Sequence, residues 1–266
     1  FQYFGSQLVK VYPNFALEMK AATERSLPLK IASPKESELA YDVPPFYLAE
    51  ADGRLYLDNC VLWLSPRHGH GYGTAKVIDI SGFGNHGTLY GYSVLSDIWK
   101  TGTDPSYYLQ FDATNDYLSL GDVLDITTED VMFEGWIEAT ENNGNTISLF
   151  SKRASAATGD AGYNCLRYAD NQILFTMSDG TDTVSVNSAL SVILKNVKNH
   201  IAITLDRSGN AQVYINGVVS GSPVSITSIN TLTNSTPLYL GRFGSDYGGV
   251  NYGDFRLHNY GLNGLP

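Results

Sequence analysis

At 266 residues the chain exceeds an ordinary domain, yet all-β sandwiches reach this size as one folding unit, so one core with an appendage is expected. Charged residues make up 17%, too few for a disordered or coiled-coil chain, and 26 glycines with 18 tyrosines suit strands and turns rather than long helices. The net charge of −10 is spread along the chain without a Lys/Arg-rich block, which argues against nucleic acid, and no apolar run approaches the roughly 20 residues of a membrane span.

Residues 1–58 hold five of the ten prolines. ALEMKAATER (16–25) reads as a short helix, whereas LPLKIASPKESELAYDVPPFYL (27–48) reads as an extended arm, because proline fixes φ and biases its predecessor toward extended geometry. Leu27, Leu29, Ile31, Phe46 and Tyr47 in that arm need a surface to lie on, either the chain's own domain or a neighbouring subunit. A start at Phe1 instead of methionine is compatible with processing and export.

From residue 59 the texture changes to short alternating runs separated by Gly, Asn, Asp and Ser. In order they are CVLWL (60–64), GTLYGY (87–92), YYLQF (107–111), DYLSLG (116–121), VMFEGWIEA (131–139), TISLFSK (146–152), NCLRYA (164–169), QILFTM (172–177), TVSVNS (183–188), HIAITLD (200–206), AQVYINGV (211–218), PLYLGRF (237–243) and DFRLHNY (254–260). About a dozen strands at this spacing make two packed antiparallel sheets. RSGN (207–210) supplies a hairpin turn between two of them. Cys60 and Cys165, with no CxxC spacing, exclude a cysteine-based zinc site and leave either one disulfide or two buried thiols.

Several of these stretches resemble, in order, the laminin-G-like branch of the concanavalin A-like lectin and glucanase superfamily. CVLWL followed by DISGFGNHGTLYG (79–91) is similar to the family's opening strand and glycine loop. YLQFDATNDYLSLGD (108–122), VMFEGWIEAT (131–140), HIAITLDRSGNAQVYINGV (200–218), LYLGRF (238–243) and GDFRLHNYGL (253–262) are similar to its later strands. The resemblance covers residues 60–263 and implies an all-β jelly-roll sandwich over residues 59–266, behind the 1–58 arm. It does not choose among lectins, glucanases and protein-binding modules, so each chemistry rests on residues.

A glucanase needs two carboxylates flanking the glycosidic bond. EGWIE places Glu134, Trp136 and Glu138 on one face of a strand, but the family's Glu-x-Asp-x-Glu pattern is absent, and a solvated face or passive glycan contact is the alternative. No Gly-x-Ser-x-Gly elbow occurs, and the five histidines (68, 70, 86, 200, 258) fall in different elements. The resemblance implies a structural calcium ion between the glycine loop and the last strand, which would draw on Asp79, Asn85 and Asp254. Gly253 stands where an Asp is usual, leaving Asp254 one step along and turned to the opposite face; a satisfied polar turn is the competing reading. For glycans, an aromatic that stacks on a sugar and polar groups for its hydroxyls are expected, and Tyr247, Asn251 and Tyr252, with Asn142, Asn143 and Asn145, offer them; such tyrosines serve protein contacts equally well. Asn234 begins an Asn-Ser-Thr sequon, which Pro237 makes equally readable as a tight turn.

The expectation is therefore a non-catalytic structural or adhesive protein at a cell, extracellular or virion surface, docked by residues 1–58 on protein neighbours in an assembly. A calcium-assisted carbohydrate-binding module is the alternative.

Overall fold

Period-two alternation of apolar and polar residues sends successive side chains to opposite faces of a strand, so these runs can close a core only by stacking two sheets. The computed structural model describes residues 2–4, 7–9, 59–66, 71–101, 107–142, 144–157 and 159–260. The helix expected at 16–25, the rest of the arm through residue 58, His68, His70 and Asn143 lie outside the described residues. The chain divides into two compact units, residues 1–60 and 61–266. In the first, β1 (Gln2–Phe4) and β2 (Gln7–Val9) form an antiparallel hairpin.

In chain order there follow β3 (Cys60–Leu64), β4 (Lys76–Val77), β5 (Gly87–Tyr90), a one-turn helix α1 (Leu95–Ile98), β6 (Trp99–Thr101), β7 (Tyr107–Asp112), β8 (Tyr117–Ser119) and β9 (Val131–Ala139). Then come β10 (Ile147–Lys152), β11 (Gly162–Arg167), β12 (Ile173–Ser178), β13 (Thr183–Asn187), β14 (Lys198–Leu205), β15 (Asn210–Ile215) and β16 (Val218–Ser225). The last are β17 (Tyr239–Leu240), β18 (Arg242–Phe243), β19 (Asp246–Tyr247) and β20 (Gly249–Asn259). One sheet runs β13-β12-β11-β10-β17-β8-β5-β4; the other runs β16-β15-β14-β9-β20-β7-β6, with β3 also paired to β20. This is the jelly-roll sandwich. No helix among the described residues is long and apolar enough to cross a membrane.

The two sheets meet over an aromatic cluster. Phe133 of β9 stacks on Phe150 of β10 with ring centroids 5.0 Å apart and also meets Tyr163 at 5.1 Å and Phe175 at 5.5 Å. Phe150 in turn meets Phe255 of β20 at 5.2 Å, so both sheets contribute rings to one buried contact. Cys60 and Cys165 are both buried, and Cys165 is a free thiol.

Buried cations peg the loops to this core. Arg167, fully buried, donates to the carbonyls of Glu141 and Asn142, and Arg207 donates to those of Thr127, Ile229 and Asn230. Lys152 Nζ pairs with Asp122 at 2.6 Å and Asp125 at 3.2 Å. Carbonyls that no ladder satisfies find their donors here. At the β15–β16 turn Asn216 and Gly217 take φ of +52° and +77°, the geometry of a two-residue turn matched to strand twist.

Several expected strands differ in extent, and two of the differences move candidate site residues. PLYLGRF is split because Gly241 takes φ +79° and ends β17, releasing Arg242 into the small β18–β19 hairpin. The closing strand begins at Gly249 rather than 254, so the segment expected as a tyrosine-bearing loop is largely strand.

Phe133→Ala, which removes the ring common to three of these contacts, is expected to cost about 3–5 kcal/mol in urea unfolding. A loss below about 1 kcal/mol would show that the two sheets do not depend on this cluster.

Candidate functional site

β9 lies between β14 and β20, and its alternation aims Val131, Phe133, Ile137 and Ala139 at the core while Glu134, Trp136 and Glu138 face outward. Three basic side chains from the flanking strands converge on Glu134. His200 of β14 places Nε2 3.1 Å from Oε2, while His258 Nε2 and Arg256 Nη1 of β20 lie 3.1 and 2.9 Å from Oε1. Burial alone would push this carboxyl up, but hydrogen bonds from His200 and His258 and the charge of Arg256 hold it far below the usual carboxylate range. Arg256 also covers the Trp63 ring, 4.6 Å from its centroid, and reaches Asp254 Oδ2 at 3.4 Å.

Arg256 and His258 reach Glu134 because β20 carries a bulge. Tyr252 pairs with Ile137 and Phe255 with Gly135, so Gly253 and Asp254 together stand opposite Trp136. The extra residue resets the alternation: Tyr252, Phe255 and Leu257 point inward, whereas Asn251, Arg256 and His258 share the outer face. Gly253 packs closely here, since a Cβ there would lie 3.0 Å from the Trp136 Cβ and the indole would have to give by a few tenths of an ångström.

Trp136 is the exposed member of this face, at 37%. Lys198 Nζ lies 5.2 Å from its ring centroid, and the His200 ring centroid is also 5.2 Å away. Beside it opens a cleft of about 150 Å³ walled by Tyr107, Tyr108, Glu138, Lys198, Asn251 and Asp254. Asn251 Nδ2 donates to Glu138 Oε1 at 3.2 Å, and Asn251 Oδ1 has no hydrogen-bond partner among the described residues. An aromatic face, a carboxylate and an ammonium thus line one shallow cleft, with the Asn251 amide bound to the carboxylate.

The expected site residues separate accordingly. Trp136, Glu138 and Asn251 come together in the cleft, and Asp254 borders it. Glu134 is 5% exposed and bound to three cationic or imidazole partners, so as a ligand contact it is corrected to a structural clamp. Tyr252 is also corrected: it is buried, its ring is 5.3 Å from that of Phe111, and its hydroxyl donates to the Leu149 carbonyl. The cause is strand alternation, which turns Tyr252 away from its neighbour Asn251. Tyr247 lies apart, in the β18–β19 hairpin. In the ENNGN loop Asn142 is engaged by Lys195 Nζ at 2.9 Å and Asn145 by Glu141 at 3.0 Å. Asn234 donates to the Lys152 carbonyl and accepts from the Thr236 amide, the tight-turn reading of the sequon.

The residues expected to share calcium do not fit that ion as arranged. Asp79 accepts four hydrogen bonds, from the amides of Trp63, Ser81 and Asn85 and from the Ser81 hydroxyl, which fills the acceptor positions of its carboxylate. His86 Nδ1 accepts from the Asp79 amide, and Asn85 Nδ2 donates to the Val61 carbonyl. Asp254 belongs to a different network, accepting from Ser65 Oγ at 2.8 Å and facing Arg256. Gly82 and Gly84, at φ of +95° and +80°, let the loop fold round the Asp79 carboxylate. Among the described residues no group of three or more His, Cys, Asp or Glu side chains is arranged to hold a metal. A second cavity, of about 470 Å³, contains Asp97, Asp112 and Asp116; burial, then the neighbouring Asp112 charge, raises Asp116 to about 6.

Lys198, His200, Arg256 and His258 went unnoticed as a group in the sequence. The available signal was their alternation, two apart on each strand, in KNHIAITL and FRLHN.

The laminin-G family model described as the concanavalin A-like lectin/glucanases superfamily matches residues 112–264. Among solved structures the chain is similar to the botulinum neurotoxin serotype G binding domain, at 22% identity and a TM-score of 0.56, over 77% of this chain and 49% of that one. It is also similar to the botulinum neurotoxin serotype D ligand binding domain in complex with N-acetylneuraminic acid, at 14% identity and a TM-score of 0.58, over 78% and 49% of the two chains. The binding domain of Paraclostridial Mosquitocidal Protein 1 follows, at 18% identity and a TM-score of 0.57, over 78% and 50%. The chain spans about half the length of these structures, and the likeness is one of fold. No curated protein matches the chain significantly.

Because the carboxyl of Glu134 is held down in the folded state, its contribution to stability is complete above the ordinary glutamate value of 4.5 and is lost as pH falls below it. Thermal melts between pH 7 and pH 3 are expected to show a steeper acid loss in the wild type than in Glu134→Gln, with a slope difference of up to about 1.4 kcal/mol per pH unit. Parallel profiles would mean that Glu134 is not the clamp.

Proposed function

Because the chain belongs to the concanavalin A-like lectin/glucanase superfamily, we propose that it is a non-catalytic binding module that engages carbohydrate through the Trp136 cleft. We place it on an extracellular or virion assembly, where residues 1–58 serve as its docking arm. The observation that carries the glycan reading is the exposed Trp136 indole beside Glu138 and Lys198 in one cleft. A sugar ring presents an apolar face to an aromatic plane and hydroxyls to polar atoms at its rim, and the cleft supplies both. The N-acetylneuraminic acid complex of the serotype D domain agrees in kind with such a ligand.

Two features support a reading without catalysis. Glu134 is held ionised and engaged by three partners, so it has no proton to deliver to a leaving group. Between Glu134 and Glu138 stands Trp136, where the glucanase pattern Glu-x-Asp-x-Glu carries an Asp. The docking role is supported by sequence, through the prolines and the apolar residues Leu27, Leu29, Ile31, Phe46 and Tyr47.

A glycan array probed with the full chain, with and without calcium, is expected to give hits that do not depend on calcium and that weaken at least about tenfold in Trp136→Ala, the equivalent of one lost stacking contact. An array without hits, or hits indifferent to that substitution, would sink the glycan reading. Light scattering of the full chain is expected to give an oligomer that dissociates when residues 1–58 are removed; a strictly monomeric full chain would refute the docking role.

A further inference from the structure

The opposite sheet carries a different aromatic surface. Where Gly241 ends β17, Arg242 turns back over the outer face of β8 and β17. Its guanidinium lies 4.9 Å from the Tyr117 ring centroid, 5.0 Å from that of Tyr239 and 5.8 Å from that of Tyr247. Tyr90, directly opposite Tyr117 in the β5–β8 ladder, stacks on it at 5.1 Å with an interplanar angle of 12° and is 46% exposed. Four tyrosines and one arginine therefore form a continuous patch.

The guanidinium in this patch has spare bonding capacity. Arg242 Nε donates to the Gly244 carbonyl, but neither terminal nitrogen makes a hydrogen bond, and no carboxylate lies within ion-pair distance, among the described residues. Each of the other described arginines commits at least one terminal nitrogen: Arg153, Arg167 and Arg207 to backbone carbonyls, Arg256 to Glu134 and Asp254. In a chain of net charge −10, an arginine held among ring faces without an acidic partner presents a cation to an incoming anion. The general negative field is screened within about 8 Å at physiological salt, so short-range contacts decide binding here.

We propose that this patch is a second carbohydrate site, separate from the Trp136 cleft, that takes an acidic sugar. Arg242 pairs with the carboxylate or sulfate of the ligand, and the exposed face of Tyr90 carries the pyranose ring. A flat aromatic face suits a ring better than an acidic peptide, whose side chains would need pockets.

The test measures binding of trigalacturonate, sulfated galactotriose, neutral galactotriose and hexaglutamate to the full chain by calorimetry at low and physiological salt. At least one acidic sugar is expected to bind, with affinity falling as salt rises and with galactotriose at least tenfold weaker. The two acidic sugars distinguish a carboxylate from a sulfate ligand. Arg242→Gln should weaken binding at least tenfold, as should Tyr90→Ala, an exposed position whose loss spares the fold; Trp136→Ala should leave it unchanged. Thermal melts verify folding of each variant. The proposal is overturned if neither acidic sugar binds, if binding survives both Arg242→Gln and Tyr90→Ala, if hexaglutamate binds as well as the sugars, or if Trp136→Ala abolishes binding.

Discussion

A carboxylate buried within a sheet face must be compensated, and the compensation of Glu134 organises its surroundings. A lone buried charge costs several kcal/mol, so β14 and β20 have to present donors at that level. His200, Arg256 and His258 do so, which ties three adjacent strands together at one register. A one-residue slip of β20 would turn Arg256 and His258 into the core and bring Phe255 and Leu257 out. The ion cluster and the Phe133 cluster on the opposite side of β9 thus enforce the same register, one through charge and the other through packing.

The bulge at Gly253 and Asp254 joins that register to the cleft. It leaves Asn251 on the outer face while Tyr252 and Phe255 remain inside, and it opens the space that Trp136 occupies. With His200 bound to Glu134, the same residue that completes the clamp also flanks the indole. The Trp136 cleft is consequently built on strands whose positions are fixed by buried interactions.

Arginine has two uses in this fold, distinguished by what its nitrogens meet. Arg167, Arg207 and Arg256 are consumed by carbonyls and carboxylates and hold loops and strands in place. Arg242 meets ring faces, which attract the cation without occupying its terminal N–H groups. Aromatic residues divide in the same way: Phe133, Phe150, Phe175 and Tyr252 fill the core, whereas Trp136 and Tyr90 remain open to solvent.

Residue order alone determined the all-β class, the laminin-G-like resemblance and the outward set Glu134, Trp136 and Glu138, because alternation along one strand is a local property that backbone geometry imposes. The loop 79–91 was also legible as a glycine-dependent turn, though its polar residues left a metal half-site and a satisfied turn equally open. The tertiary structure favours the satisfied turn, by filling the Asp79 carboxylate with donors from β3 and its own loop. It likewise decided that Tyr252 is core, that Glu134 is a clamp and that Arg242 has no carboxylate within ion-pair distance among the described residues. Each of these depends on which strand lies alongside, and on the extra residue in β20 that resets its phase. Alternation within a strand cannot report a bulge in its neighbour, since the bulge is defined by the pairing of two strands more than a hundred residues apart.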